Sequence, residues 1–281
     1  MSAVDEYVGA FPPRLPVAGI LVSRTTYQET VECITAAAQQ GASLLVAATS
    51  VHGLTLGATE DWFGDKLNGF DLLTPDGQPV RWALNLLHGA SLSQRVYGPT
   101  LMRRVCQAAA EQGLGIYLYG SRPEVLKRLM PRLQALAPGL RILGYRSPPF
   151  RPLTAGEDAD DVHDIVGSGA RILFVGLGCP RQEAWAFDHR DRLDLPIVCV
   201  GAAFDFHAGA LRQAPPWMQD RGLEWLFRLA MEPRRLWRRY AKYIPLFMLL
   251  VARQYMMERV LPSRRISLAA ETSAIWSSED T

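Results

Sequence analysis

The stretch ILFVGLGCPRQEAW, residues 172–185, is where the fold can be read: an apolar run rich in branched side chains breaks into Gly176-Leu177-Gly178-Cys179-Pro180, after which Gln182 and Glu183 open a helical pattern. That is strand, turn, helix. The same cadence recurs at Leu44–Thr49, 116–119, 141–144 and 197–201, with longer helical patterns between them. Alternation of this kind predicts an α/β fold with a mostly parallel sheet and helices on both faces. Ligands of open α/β sheets sit beyond the carboxyl ends of the strands, so the segments 50–52, 120–123, 176–182 and 201–207 are the places to look for a site.

Composition narrows the class. With 281 residues, 48% hydrophobic content, 21% charged content and a net charge of +2, the chain is expected to be globular, one large α/β domain with an appendage. Cys33, Cys106, Cys179 and Cys199 form no CxxC and no Cys/His set at metal spacing, which points to reduced thiols in the cytosol and no zinc site. The N-terminal MSAVDEYVGAFPPRLP carries acids and prolines where a signal peptide needs a basic patch and an apolar core. The apolar run 244–252 contains Pro245 and is shorter than the roughly 20 residues that cross a bilayer, so the chain is expected to lie on a membrane without spanning it. There is no internal repeat. The expected organisation is an N-terminal extension at 1–18, a catalytic domain at 19–211, an arginine-rich helical appendage at 212–262 and a flexible tail at 263–281.

Four constellations carry candidate chemistry. Thr74-Pro75-Asp76-Gly77 is strong turn chemistry, and Asp76 reads either as a turn or N-cap residue or as a general base held on a short loop. Gly120-Ser121-Arg122-Pro123 joins a strand to a helix, presenting backbone amides where a phosphate can dock, although a plain βα turn has the same residues. In the opening stretch Gly178 lets a ligand approach the backbone and Gln182 offers a donor and an acceptor to a sugar or base. There Glu183 reads as a first-turn carboxylate favoured by the helix dipole, and Cys179 as packing. In GAAFDFHAGALRQAP, residues 201–215, Asp205 and His207 would point the same way on an extended backbone, as an acid/base pair or as residues that hold the glycine-rich loop. Asp158, Asp160 and Asp161 stand in a polar segment and read as a solvated helix start, not magnesium ligands; no metal and no cofactor is expected.

The remaining signal is GLEWLFRLAMEPRRLWRRY, residues 222–240. On one continuous helix Arg228, Arg235 and Arg238 would share a face beside the apolar Trp225, Leu229 and Leu236, an arrangement suited to a diphosphate, an acidic lipid surface, or a merely solvated basic face. Arg234 and Arg239 fall off that face and are assigned to lipid headgroups or water. Trp237, Tyr240 and Tyr243 are expected at headgroup depth with residues 247–251 below them, and the same aromatic helices can instead bury against a second subunit in a homo-oligomer.

Taken together, DGQPVRWALNLLHG, RVYGPTLM, IYLYGSRPEV, FVGLGCPRQEAW, GAAFDFHAG and the arginine stretch resemble, in order over residues 19–240, the TagA/WecG/CpsF family of bacterial glycosyltransferases. The resemblance implies a Rossmann-like domain whose C-terminal appendage closes over the site and meets the inner face of the cytoplasmic membrane. It implies transfer of N-acetylmannosamine or glucose from a UDP-sugar to a polyprenyl-diphosphate-linked sugar in cell-surface or exopolysaccharide assembly. On the matching positions it makes Asp76 the general base, Gln182 a donor-sugar contact, and Arg228, Arg235 and Arg238 the diphosphate ligands. A single base suggests inversion by one direct displacement, and with no DxD pair at a strand end the transfer is expected to be metal-independent. Where the family reads Thr-Pro-Asn after its first strand, this chain has Ala48-Thr49-Ser50, so a hydroxyl from Thr49 or Ser50 would serve from a shifted position and the sugar preference is expected to be altered.

Two rival classes are weaker. A nicotinamide oxidoreductase needs GxGxxG after its first strand, and residues 44–53 contain a single glycine. A noncatalytic nucleotide-binding, membrane-surface or nucleic-acid-binding protein would explain the arginines and leave Asp76 and the glycine turns unemployed, so no nucleic-acid partner is expected.

Overall fold

The computed structural model describes residues 11–260. Two short strands, β1 (Arg14–Val17) and β2 (Ile20–Ser23), form an antiparallel hairpin, and α1 (Tyr27–Gln40) follows behind a Thr26 capping box. Then come β3 (Leu44–Thr49), α2 (Val51–Thr59), α3 (Asp61–Asn68), β4 (Leu72–Pro75), α4 (Gln78–His88) and α5 (Gly98–Glu111). The middle of the chain continues as β5 (Gly115–Gly120), α6 (Pro123–Leu136), β6 (Arg141–Arg146) and α7 (Ala155–Gly167). After β7 (Ile172–Gly176), α8 (Arg181–His189) and β8 (Pro196–Cys199), only helices remain: α9 (Ala203–His207), α10 (Pro216–Asp220), α11 (Glu224–Met231) and α12 (Pro233–Tyr255).

The six longer-range strands form one parallel sheet in the order β4-β3-β8-β7-β5-β6. Its strands alternate between two cores, as period-2 side chains must. On β3, Leu44 and Val46 enter one core while Leu45 and Ala47 enter the other; on β7, Ile172 and Phe174 oppose Leu173 and Val175 in the same way. One core packs beneath α1, α5, α6 and α9, and the other beneath α2, α4, α8 and the β1-β2 hairpin. The expected parallel α/β sheet with helices on both faces is therefore present.

Three strands lay outside the sequence reading. β1 and β2 have only four residues each, on either side of Ala18-Gly19, too short for a period to show. β4 lies within and beyond the apolar run 70–73 and is buried throughout, so it shows no alternation.

Beyond β8 the chain crosses back over the sheet. Helix α12 packs on α2 and α4, burying Leu236, Phe247 and Val251 against the rest of the molecule. Burial of Phe247 and Val251 corrects the expectation that residues 247–251 dip into lipid; Met248 and Leu249 on the opposite side are exposed. At its far end, Gln254 accepts the Ala18 amide at 2.7 Å and donates to the Pro16 carbonyl at 2.8 Å, tying α12 to the hairpin turn. Among the described residues no helix is long and apolar enough to cross a membrane. The proposed tail at 263–281 and the first ten residues of the extension lie outside the described residues.

Candidate active site

Every strand of the parallel sheet ends on one side, and the loops that follow line a cavity of about 990 Å³. Thr49 and Ser50 come from the end of β3, Asp76 from β4, Ser121 and Arg122 from β5, Ser147 from β6, Gly178 from β7 and Gly201 from β8. This is the crevice that parallel topology creates. The roof is the C-terminal segment, which brings Arg228, Arg235 and Arg239 over the opening. A second, smaller cavity of about 180 Å³ lies between α4, α11 and α12, and it shares Ser50, Asp76, Tyr97, Arg228 and Arg239 with the first.

Asp76 stands where the two cavities meet. Its amide donates to Thr49 O at 3.1 Å, and its Oδ1 accepts the Gly98 amide at 3.0 Å, so the carboxyl is aimed by backbone at both ends. Burial pushes its pKa up to about 6; the charge of Arg95 opposes that rise and the charge of Glu224 adds to it. A carboxylate with that pKa is ionised at neutral pH yet basic enough to take a proton.

Around it runs a network that ties the roof to the floor. Arg95 Nη2 donates to Glu224 Oε2 at 2.5 Å, and Arg95 Nη1 reaches Asp76 O at 3.3 Å. Tyr97 donates its hydroxyl to Glu224 Oε1 at 2.9 Å, and burial drives its pKa far above the ordinary tyrosine value. Glu224 opens α11, so a first-turn carboxylate anchors the roof beside the candidate base.

The opposite wall is built from the opening stretch of the sequence. Gly178, at φ +80°, donates its amide to Gln182 Oε1 at 3.3 Å, and Gln182 Nε2 donates to Glu183 Oε1 at 2.8 Å. The Gln182 amide is thus held in one orientation. Glu183 is a first-turn acid of α8, as expected, and is buried beneath that amide with its pKa raised by desolvation. Cys179 lines the cavity as a thiol whose pKa burial raises well above the ordinary value, in keeping with packing.

Positive charge gathers at the junction. Glu224 pairs with Arg95 and Glu232 with Arg235 at 2.7 Å. Neither Arg228 nor Arg239 has an ion-pair partner among the described residues, and Arg239 Nε is buried without a hydrogen bond. His52 reports the same field: burial, then the charges of Arg239 and Lys242, lower its pKa to about 4. Unpaired guanidinium groups at the end of a cleft fit phosphate oxygens.

Residues 15–260 match the family described as "Glycosyl transferase WecG/TagA/CpsF family". The chain belongs to that family. It is similar to the N-acetylglucosaminyldiphosphoundecaprenol N-acetyl-beta-D-mannosaminyltransferase of Bacillus subtilis (strain 168), with 29% identity over 195 residues covering 69% of this chain and 73% of the relative.

In this WecG/TagA/CpsF glycosyltransferase several expected residues change place. Arg228 lies on α11 and Arg235 and Arg238 on α12, separated by a break at Glu232, so the three do not share one helix face. Arg238 faces outward over its neighbour Trp237 and lines neither cavity, whereas Arg239, assigned by sequence to headgroups or water, lines both. Helical phase explains the exchange. At about 100° per residue Arg239 lies roughly 60° from the inward-facing Leu236, and Arg238 roughly 160°.

Asp205 and His207 also part company, because residues 203–207 form a helix and not an extended segment. Asp205 lines the larger cavity, with its pKa raised by burial against the charges of Arg122 and Arg235, while His207 Nε2 sits 2.8 Å from Pro99 O. Gly120 lies behind the cavity wall: a Cβ there would stand 2.8 Å from the Gly176 backbone, so the glycine allows β5 and β7 to end side by side. Thr49 Oγ1 is buried without a partner, and Ser50 precedes α2 with its hydroxyl uncommitted to capping. Asp158 bridges His189 and Arg192, and Asp161 accepts from Tyr119 at 2.7 Å, so both acids are employed in structure. Sequence reasoning gave no role to Arg95, Tyr97 or Glu224; all three stand in quoted motif blocks, and only the folded backbone shows them converging.

Proposed function

We propose that this glycosyltransferase moves a hexose or N-acetylhexosamine, N-acetylmannosamine or glucose, from a UDP-sugar to a polyprenyl-diphosphate-linked sugar, with Asp76 as general base. The observation that supports it most is the position of Asp76 on the wall common to the two cavities, with unpaired arginines beside it. The larger cavity, with Gln182, Asp205 and the strand-end glycine loops, suits the nucleotide sugar; the acceptor hydroxyl comes to Asp76 from the other side. Asp76 takes the hydroxyl proton as the oxygen attacks the anomeric carbon, and the bond to UDP breaks with its electron pair leaving on the β-phosphate. Arg228, Arg235 and Arg239 neutralise that charge, and preorganised donors of this kind usually contribute the largest share of rate enhancement. A single base on one side of the anomeric carbon favours inversion. No metal ligand set enters this scheme.

The same reading places the protein peripherally on the inner face of the cytoplasmic membrane. Trp237, Met248, Leu249, Met256 and Met257 are exposed on α12 and just beyond it, among arginines that attract anionic lipid. The test is transfer from a panel of UDP-sugars to an N-acetylglucosaminyl diphosphate polyprenol. Product should form with the native chain and nearly vanish with Asp76→Asn; undiminished transfer by the variant removes Asp76 from the base role.

A further inference from the structure

The smaller cavity changes character along its length. Where it joins the larger one it presents Asp76, Arg228 and Arg239; the lining it does not share holds the apolar group Trp225, Tyr243, Ile244, Phe247 and Met248, besides Gln78 and the mutually paired Arg95 and Glu224. Tyr243 is held against the core by an edge-on contact with His52, ring centroids 4.7 Å apart. Phe247 is buried, whereas Trp225 and Met248 remain 40% and 61% exposed, so the apolar end opens to the surface. An occupant with negative charge at one end and a hydrocarbon stem at the other matches the two arginines, unpartnered among the described residues, and the apolar group. A nucleotide sugar has no such stem.

We infer that this cavity is a subsite for the lipid stem of the acceptor, taking its diphosphate between Arg228 and Arg239 and its first isoprene units against Trp225, Tyr243, Ile244 and Met248. The inference rests on the acceptor proposed above and adds where its lipid lies. Charge complementarity selects the occupant. Two guanidinium groups without ion-pair partners among the described residues meet an anionic linker, and a volume of about 180 Å³ holds only the first units of a chain whose remainder continues outward past Met248 and Leu249. The protein would thus read the isoprenoid itself, and membrane proximity alone would not make an acceptor.

The experiment compares two soluble acceptors in detergent-free solution without vesicles: N-acetylglucosaminyl diphosphate esterified to farnesol and the same compound esterified to ethanol. The native chain should favour the farnesyl ester in kcat/KM by at least about tenfold, the gain expected from burying a couple of methylene groups. Ile244→Ser and Met248→Ser, both on the open end of the groove, should each reduce that advantage to within about threefold. Equal use of the two esters by the native chain overturns the subsite while leaving the transferase reading intact. An advantage that survives both substitutions, or an equal fall with both esters, likewise overturns it. Turnover of neither ester removes the acceptor reading and the subsite with it.

Discussion

The floor of the site and its roof hold their functional groups by different means. The floor consists of strand ends in a parallel sheet clamped between two cores, so the position of Asp76 follows from the register of β4 against β3 and from the amides of Asp76 and Gly98. The roof hangs on a few side chains: Arg95 and Tyr97 on Glu224, Tyr243 on His52, and Phe247 and Val251 in the core. The floor holds the Asp76 carboxyl with little freedom to move, and the roof presents positive charge on fewer contacts. Under the proposed function, with a nucleotide sugar entering on one side and a lipid-borne sugar on the other, that division is an advantage.

Substitutions on the two sides should separate these roles. Asp76→Asn is the most severe: kcat should fall about 10²- to 10⁴-fold, with UDP affinity in calorimetry little changed, and a large loss of UDP affinity would make Asp76 a binding residue. Arg228→Ala removes a cation shared by both cavities, so kcat/KM should fall about ten- to hundredfold for donor and acceptor alike. Arg235→Ala, which touches only the larger cavity, should weaken UDP affinity about tenfold and leave the acceptor KM in place. A change confined to the acceptor would reverse the assignment of the two cavities.

The pH profile sharpens the link between floor and roof. Because the base must be ionised, kcat/KM should rise as pH increases through about 6 and level off above it. Glu224→Gln removes a negative neighbour that raises the Asp76 pKa, so the rising limb should move to lower pH; a shift to higher pH would contradict the contact. The smallest effect is expected at Arg238→Ala. Transfer from a UDP-sugar to a soluble acceptor should stay within about twofold of native, since Arg238 reaches neither cavity.

Much of the floor is legible in the sequence because strand ends announce themselves: an apolar run stopping at Gly176 or Gly120 before a helix start is local chemistry. Gln182 can be named for that reason, whereas Asp76, which follows the unread β4, rests on the turn chemistry of Thr74-Pro75-Asp76-Gly77 and on the family resemblance. The roof is less legible, since which arginine faces inward depends on helical phase, and the break at Glu232 resets the phase between α11 and α12. A continuous-helix reading therefore favoured Arg238 over Arg239. Asp205 lines the larger cavity as a candidate site residue, but its pairing with His207 fails for a related reason: one turn of helix stands where a strand period would have aligned the two. The Arg95–Glu224 pair spans 129 positions in the chain and has no local signature at all.

The tie between Gln254 and the hairpin turn gives the roof a lever. Helix α12 runs 23 residues, and with a rise of about 1.5 Å per residue Arg235 stands roughly 28 Å from the Gln254 anchor. Over that arm a tilt of only about 5° carries the arginine end some 2.5 Å, close to the length of a hydrogen bond. Under the proposed function, a small tilt at the hairpin end would therefore be magnified where α12 lines the larger cavity.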